Sequence, residues 1–312
     1  MNQQINSISS YLKNHFGRKT VKLSIDGGFT CPNRDGSKGY GGCIFCSENG
    51  SGEFASNIEE QITLLSEKWP NANYLAYFQN HTNTYAPVEE LREKYEKVLA
   101  HPLINGIAIA TRPDCINEEV LSLLSEINKK HFLWVELGLQ TIHEETAVWM
   151  NRGYELAVYD YAIKALNDCG IKTVVHLILG LPGESKQDMI DSVNYVTRSG
   201  AWGMKIHMLN VVRGSRMEKD YSDYNSFESI EEYVSFVCDL LEIIPPEIVI
   251  HRLSADAPRK ILITPEWSFR KRTILNGIQH ELKRRGSYQG CKVVRKDCDE
   301  SIPWNGDLNK KL

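Results

Sequence analysis

Residues Cys31 to Cys46 read CPNRDGSKGYGGCIFC, and the rest of the chain takes its meaning from that stretch. Three cysteines fall within sixteen residues, with eleven and then two residues between them, in a loop opened by Pro32 and rich in glycine. Core thiols favour apolar periodic segments, not a run of Gly, Asn, Asp, Ser and Lys. A structural zinc site asks for four ligands, usually as two close pairs, and only Cys43 and Cys46 have that spacing. A trio with no fourth Cys or His close behind suits a 4Fe-4S cluster with one iron left open, because such clusters take one Cys per iron. Zinc and plain buried thiols are the competing readings.

The chain has 312 residues, 42 % of them apolar and 24 % charged, with a net charge of -4. That is the composition of a soluble globular enzyme, and by itself it predicts no polyanionic partner. The opening MNQQINSISSYLKNHFG has no apolar stretch of signal-peptide or membrane-span length, so a cytoplasmic protein is expected. Eight cysteines in a reducing compartment are then metal ligands, catalytic groups or core residues, not a disulfide framework.

Ile5, Ile8, Leu12 and Phe16 recur at helical spacing, predicting an N-terminal amphipathic helix. Thr20 to Asp26 alternates as a strand that delivers the chain into the cysteine loop. A helix follows from a Ser56/Glu59 capping pattern, then a strand at Tyr74 to Gln79, a helix over 87–100 and a strand at Gly106 to Thr111. A helix capped by Asn117, a strand at Leu133 to Leu139, a helix over 155–169, a strand at Lys172 to Leu179 and a helix opened by Ser185 come next. Strand Gly203 to Val212 completes six strand and helix units, before a helix over 229–243 and a last strand, Glu247 to Leu253. Such alternation implies parallel strands with right-handed crossovers. The expected fold is an α/β partial (β/α)6 barrel, similar to a TIM barrel, with functional groups at the C-terminal strand ends. Residues 1–253 form the barrel with its helix, and 254–312 a basic C-terminal extension.

Polar groups gather where the strands end. Strand two runs into FQNHTNTYAP, which is either a functional cluster or a loop of turn-forming residues. Strand three ends in ATRPDC, where Arg112, held extended before Pro113, faces a ligand or solvent. Cys115 reads as a packing residue. On strand four Glu136 and Gln140 lie an even number apart and share a face. A buried carboxylate needs a partner, and a polar cofactor would serve. His176 on strand five is either a ligand contact or a satisfied core histidine.

The loop, with Phe45 before the last cysteine, resembles that of radical S-adenosylmethionine (SAM) enzymes. Their common form has three and two residues between cysteines; the longer first gap here resembles the YhcC/YtqA-like branch, related to the Elongator catalytic subunit and to coproporphyrinogen oxidase. The resemblance implies a partial barrel of the radical SAM type, with Cys31, Cys43 and Cys46 on the 4Fe-4S cluster and SAM on the open iron. It further implies that Gln79 and Thr82 meet the SAM amino group, Gln140 and His176 the ribose, and Arg152 the carboxylate. Gly180, in the GLPG turn, and Val211 would frame the adenine. Glu136 belongs to the same lining, and a ferredoxin- or flavodoxin-like donor would supply the electron.

From Phe269 to Lys296 nine Lys or Arg face one acid, Glu281, a local footprint for polyanions that a mixed solvated face would not leave. Lys283, Arg284 and Arg285 are the expected nucleic-acid contacts, and the resemblance to the Elongator subunit implies transfer RNA as partner. In the YtqA-like branch the implied step takes a wobble 5-carboxymethylaminomethyl uridine towards 5-aminomethyl. Two other classes stay open: a radical SAM enzyme acting on a small metabolite or peptide, and a non-catalytic iron-sulfur protein that binds RNA. Cys291 and Cys298 have no assignable role.

Overall fold

The computed structural model describes residues 4–50, 52–255 and 257–293. Helix α1 (Ile8–Phe16) precedes β1 (Thr20–Ile25), after which helices and strands alternate: α2 (Ile58–Ser66), β2 (Asn73–Phe78), α3 (Val88–Leu99), β3 (Ile104–Thr111), α4 (Glu118–Asn128) and β4 (Phe132–Gln140). Two helices, α5 (Glu144–Trp149) and α6 (Leu156–Asp168), lead to β5 (Lys172–Leu179), then α7 (Lys186–Arg198) to β6 (Gly203–Met208). A short β7 (Val211–Val212), α8 (Met217–Asp220) and α9 (Ile230–Ile243) come before β8 (Val249–Arg252), β9 (Leu262–Thr264) and α10 (Lys271–Arg285).

Strands β1 to β6 lie side by side in chain order, and β8 adds a seventh beside β6, every pairing parallel. The outer strands β1 and β8 do not pair with each other, so the barrel stays open. Strand alternation sorts the residues into two faces. Ile25, Phe78, Ile109, Leu137, Leu177 and Ile206 point outward into the main core beneath the helices. The opposite face carries Leu75, Ala108, Trp134 and Val174, on which Leu12, Ile8, Tyr11 and Phe16 of α1 pack. The N-terminal helix thereby closes the floor of the lumen, and the C-terminal strand ends are left as its mouth.

The caps follow local chemistry. Asn117 and Ser185 accept backbone N–H groups as expected, Ser185 in a reciprocal capping box with Asp188. The cap of α2 is Asn57, not Ser56, because Ser56 is held by β1: its N–H donates to Ser24 O, and its carbonyl accepts from Asp26. The expected strand 203–212 is two strands. Leu209 still bonds to Leu179 O, but Val211 and Val212 turn away to pair antiparallel with β9.

The described part of the C-terminal extension is built into the barrel. Ile274, Ile278 and Leu282, one turn apart along α10, are fully buried in the main core, as α9 is. The helix starts just beyond β9 and ends at the floor, where the Gln289 side chain donates to Pro245 O and Ile248 O, immediately before β8. Its two ends are about 22 Å apart at the usual helical rise.

Candidate cofactor and substrate site

The cysteine loop is held by backbone bonds to residues that follow β4. Ile44 N donates to Met150 O at 3.0 Å, and Arg34 N and Asp35 N both donate to Cys31 O. Buried Asn33 donates its amide to Asn151 O and lies 3.8 Å from Cys43 Sγ. All three sulfurs face one cavity of about 300 Å3 at the mouth, shared with Arg34, Arg112 and Arg152. A hydrogen bond from Cys46 draws the Cys43 thiol down to about 7 against burial, helped by Arg112, Asn33 and Arg34; the same contact pushes Cys46 up. Among the described residues no three His, Cys, Asp or Glu side chains converge as a single metal ion requires. A four-iron cube makes no such demand, since each thiolate reaches its own iron.

The cavity floor is a buried polar cluster. Glu136, fully buried, accepts from Tyr77 at 2.7 Å, Trp134 Nε1 at 2.9 Å and His176 Nε2 at 2.8 Å, and is ion-paired to Lys205. Burial opposes ionisation, yet Lys205, Lys22 and His176 hold the Glu136 carboxyl well below the usual range. Burial and then Lys205 pull His176 down to about 4, so its imidazole is neutral at pH 7. The expected partner of Glu136 was a cofactor; the structure supplies protein partners for both oxygens. Lys205 was missed, although a lysine at the same parity as His207 on an otherwise apolar strand signals a lumen-facing group.

Gln79, Thr82, Gln140, Arg152 and His176 all line the cavity. Thr82 Oγ1 is buried without a partner, as are His81 Nδ1 and Asn210 Oδ1, which belong to the same lining. Gln140 sits at a bulge with φ +66, its amide donating to the carbonyls of Gly138 and Leu139 at 2.9 Å. Arg152 is fully buried and spends its donors on Tyr154 O, Leu139 O and Thr141 O, with Glu144 at 3.4 Å. A carboxylate could meet only its Nη2 edge. Arg112 is clamped in two bonds by Asp114 at 2.9 Å.

Three expectations need correction. Gly180 is not in the cavity lining: its backbone has φ +77, and a Cβ there would overlap the Ser226 side chain, so it is a packing glycine. Val211 points into the cluster of Ile44, Met150 and Met217, and Val212 is the cavity residue. Arg285 is not a free phosphate contact, because it bonds Asp239 at 2.6 Å, Glu281 at 2.8 Å and the Ser235 hydroxyl at 2.8 Å, tying α10 to α9. Arg284 is exposed but clamped by Glu281, and with Lys283 it stands at the floor end of α10, opposite the mouth. Cys298 and the basic residues Arg295 and Lys296 lie outside the described residues.

An open parallel half barrel with three thiols at its mouth defines an enzyme class that works through an iron-sulfur cluster held at the strand ends. Residues 31–196 match the radical SAM superfamily and residues 201–284 the radical SAM C-terminal domain, so the chain belongs to the radical SAM superfamily. Its cofactors are accordingly a 4Fe-4S cluster and SAM. The chain is 45 % identical to the uncharacterized protein YtqA of Bacillus subtilis over 297 residues, 92 % of each chain. It is 26 % identical to human Elongator complex protein 3 over 163 residues, 50 % of this chain and 29 % of that one. The archaeal Methanocaldococcus infernus Elp3 structure superposes with a TM-score of 0.65 at 16 % identity, covering 86 % of this chain and 64 % of the other, a likeness of fold. Among the described residues no helix is long and apolar enough to cross a membrane.

Proposed function

We propose that this chain is a transfer RNA-modifying radical SAM enzyme that takes a wobble 5-carboxymethylaminomethyl uridine towards 5-aminomethyl. The supporting observation is the placement of the three thiols beside a cation-lined cavity of about 300 Å3 that opens to solvent, as a substrate base extruded from its stack would require. Cys31, Cys43 and Cys46 would hold the cluster, with Arg34 and Arg112 offsetting its negative charge. The unpartnered Thr82 hydroxyl and Gln79 would meet the SAM amino group, Gln140 the ribose, and Val212 the adenine. When bound, the cluster and SAM supply a carbon radical that abstracts hydrogen, with the electron drawn from a ferredoxin- or flavodoxin-like donor.

The glycine-like unit of the substrate would lose a hydrogen atom from carbon, then one electron and the proton on nitrogen, to give an imine; that electron would restore the one lent by the donor, so that SAM, when bound, would be the net two-electron oxidant. Water would then hydrolyse the imine to glyoxylate and leave the amine. The protein's own share is to orient the side chain over the thiol wall and to keep water out until that stage. Mass spectrometry of transfer RNA nucleosides from a deletion strain tests the substrate: the carboxymethylaminomethyl nucleoside should accumulate at the expense of aminomethyl. An unchanged profile would remove this substrate, and anaerobic SAM cleavage to 5'-deoxyadenosine tests the radical chemistry separately.

A further inference from the structure

We infer that RNA is gripped at the mouth of the half barrel by Tyr40, Arg213, Arg216, Arg259, Phe269 and Arg270, and not by the Lys283 to Arg285 end of α10. This rests on the transfer RNA reading above. The β7–β9 ribbon makes the arc continuous. Val212 and Ile261 line the cavity, and Arg213 N donates to Ile261 O at 2.7 Å, so exposed Arg213 and the turn carrying Arg259 share one lip. Arg216 follows, next to α8, whose Met217 N donates to Ile44 O in the cysteine loop. The Arg216 side chain lies beside Gly41, where a Cβ would stand 3.5 Å from its Cδ. Tyr40 comes next, 77 % exposed in the turn between Cys31 and Cys43. At the other end Phe269, 38 % exposed, has the guanidinium carbons of Arg259 and Arg270 at 4.6 and 5.8 Å from its ring centroid.

The chemistry of this arc differs from that of α10. The side chains of Arg213 and Arg216 are exposed and make no hydrogen bond or ion pair among the described residues. The carboxylates nearby include Asp35, bridged to Tyr40 and accepting from Ser37 N at 2.9 Å, Glu48 near Gly214, Glu266 before Phe269, and Glu218, engaged by Gly214 N at 2.8 Å. Exposed rings interleaved with unpaired guanidinium groups are what a looped single strand uses, its bases stacking and its phosphates pairing. Lys283 and Arg284 face the other end of the molecule, about 22 Å along the helix.

Fluorescence anisotropy of the full chain with an anticodon stem-loop RNA, and with a duplex of the stem alone, over a series of KCl concentrations tests this. The stem-loop should bind more tightly than the duplex. Arg213→Ala with Arg216→Ala should weaken stem-loop binding about tenfold and flatten the salt slope by roughly 1.5, because two phosphates are no longer neutralised. Tyr40→Ala should weaken the stem-loop selectively and Tyr40→Trp should restore it, whereas Lys283→Ala with Arg284→Ala should change little. Wild-type binding that survives the paired arginine change but is abolished by the Lys283 and Arg284 changes overturns this inference and leaves the transfer RNA reading intact. Equal affinity for stem-loop and duplex, indifferent to Tyr40→Ala, overturns the stacking contact. A wild-type chain that does not bind the stem-loop takes down the transfer RNA reading itself.

Discussion

Asn33 and Asn151 are locked together across the cysteine loop: the Asn33 amide donates to Asn151 O, and the Asn151 amide returns to Gly42 O at 2.8 Å. Asn151 adopts φ +57, a conformation Asn tolerates better than most residues. The pair fixes both ends of the loop, at Asn33 two residues after Cys31 and at Gly42 one residue before Cys43, to the chain that leaves β4.

Asn151→Ala loses the Gly42 bond and strains the backbone, at a cost of about 1–2 kcal/mol. Asn151→Gly keeps the backbone and loses only the bond. Both should bind less iron per chain after anaerobic reconstitution, with Asn151→Gly the milder in denaturant unfolding. Equal iron content in wild type and both variants would show that the loop holds its shape without this tie.

The Lys205–Glu136 pair gives a pH test. In the wild type Glu136 is held below its ordinary value of 4.5, so its contribution is full above about 4.5 and is lost as pH falls through the lower folded value. Lys205→Met leaves the carboxylate buried without its main counter-charge, a loss of about 3–5 kcal/mol at neutral pH. Its folded pKa then rises, and the sign reverses: the deficit should shrink as the pH is lowered and Glu136 takes up a proton. Urea melts of both proteins from pH 8 to pH 5 would show it, and a deficit that stays constant with pH refutes this electrostatic account. Adding Glu136→Gln should recover much of the loss.

How much of this could be read from sequence follows from what each signal encodes. Period-two alternation placed six strands within a few residues, and the parity of Glu136 and Gln140 put both in the lumen lining, as the cavity shows. Alternation cannot say which partner a buried carboxylate finds, because Lys205 lies 69 residues away and meets it only through the sheet order. A linear count of basic residues after 268 cannot tell that α10 holds Lys271 and Arg272 at one end and Lys283, Arg284 and Arg285 at the other. Nor does a GLPG turn reveal that Gly180 is required by Ser226 and not by an adenine.

Gly180→Ala makes that last distinction measurable. A methyl group at φ +77, overlapping the Ser226 side chain, combines backbone strain with overpacking. A destabilisation of about 2–4 kcal/mol is expected in denaturant unfolding. Ser226→Gly in the same chain should relieve the overpacking part. If Gly180→Ala instead leaves stability intact and weakens only SAM binding, the adenine role returns.

Arg285 and Arg284 should separate in the same way. Arg285→Ala removes the bonds to Asp239, Glu281 and the Ser235 hydroxyl that join α10 to α9, and should lower the thermal midpoint. Arg284→Ala, touching only Glu281 at the surface, should leave it in place. Identical midpoints for the two variants would mean that the inter-helix tie contributes nothing measurable.

Thr82 offers the cleanest separation of binding from stability. Its hydroxyl is 1 % exposed, lines the cavity and has no partner within the protein. A buried polar atom left unpaired costs stability, and replacing it by an apolar group of the same shape is neutral or stabilising. Thr82→Val should therefore keep or raise the denaturant midpoint. If the hydroxyl exists to meet the SAM amino group, the same change removes one hydrogen bond to a charged donor, about 1.5 kcal/mol or tenfold in affinity. Calorimetry of SAM binding to the anaerobically reconstituted protein reads that loss directly. Thr82→Ser, which keeps the hydroxyl, should bind SAM nearly as well as the wild type while losing some stability from the missing methyl. A Thr82→Val protein with unaltered SAM affinity would detach this residue from the cofactor and leave its orphaned hydroxyl for the substrate.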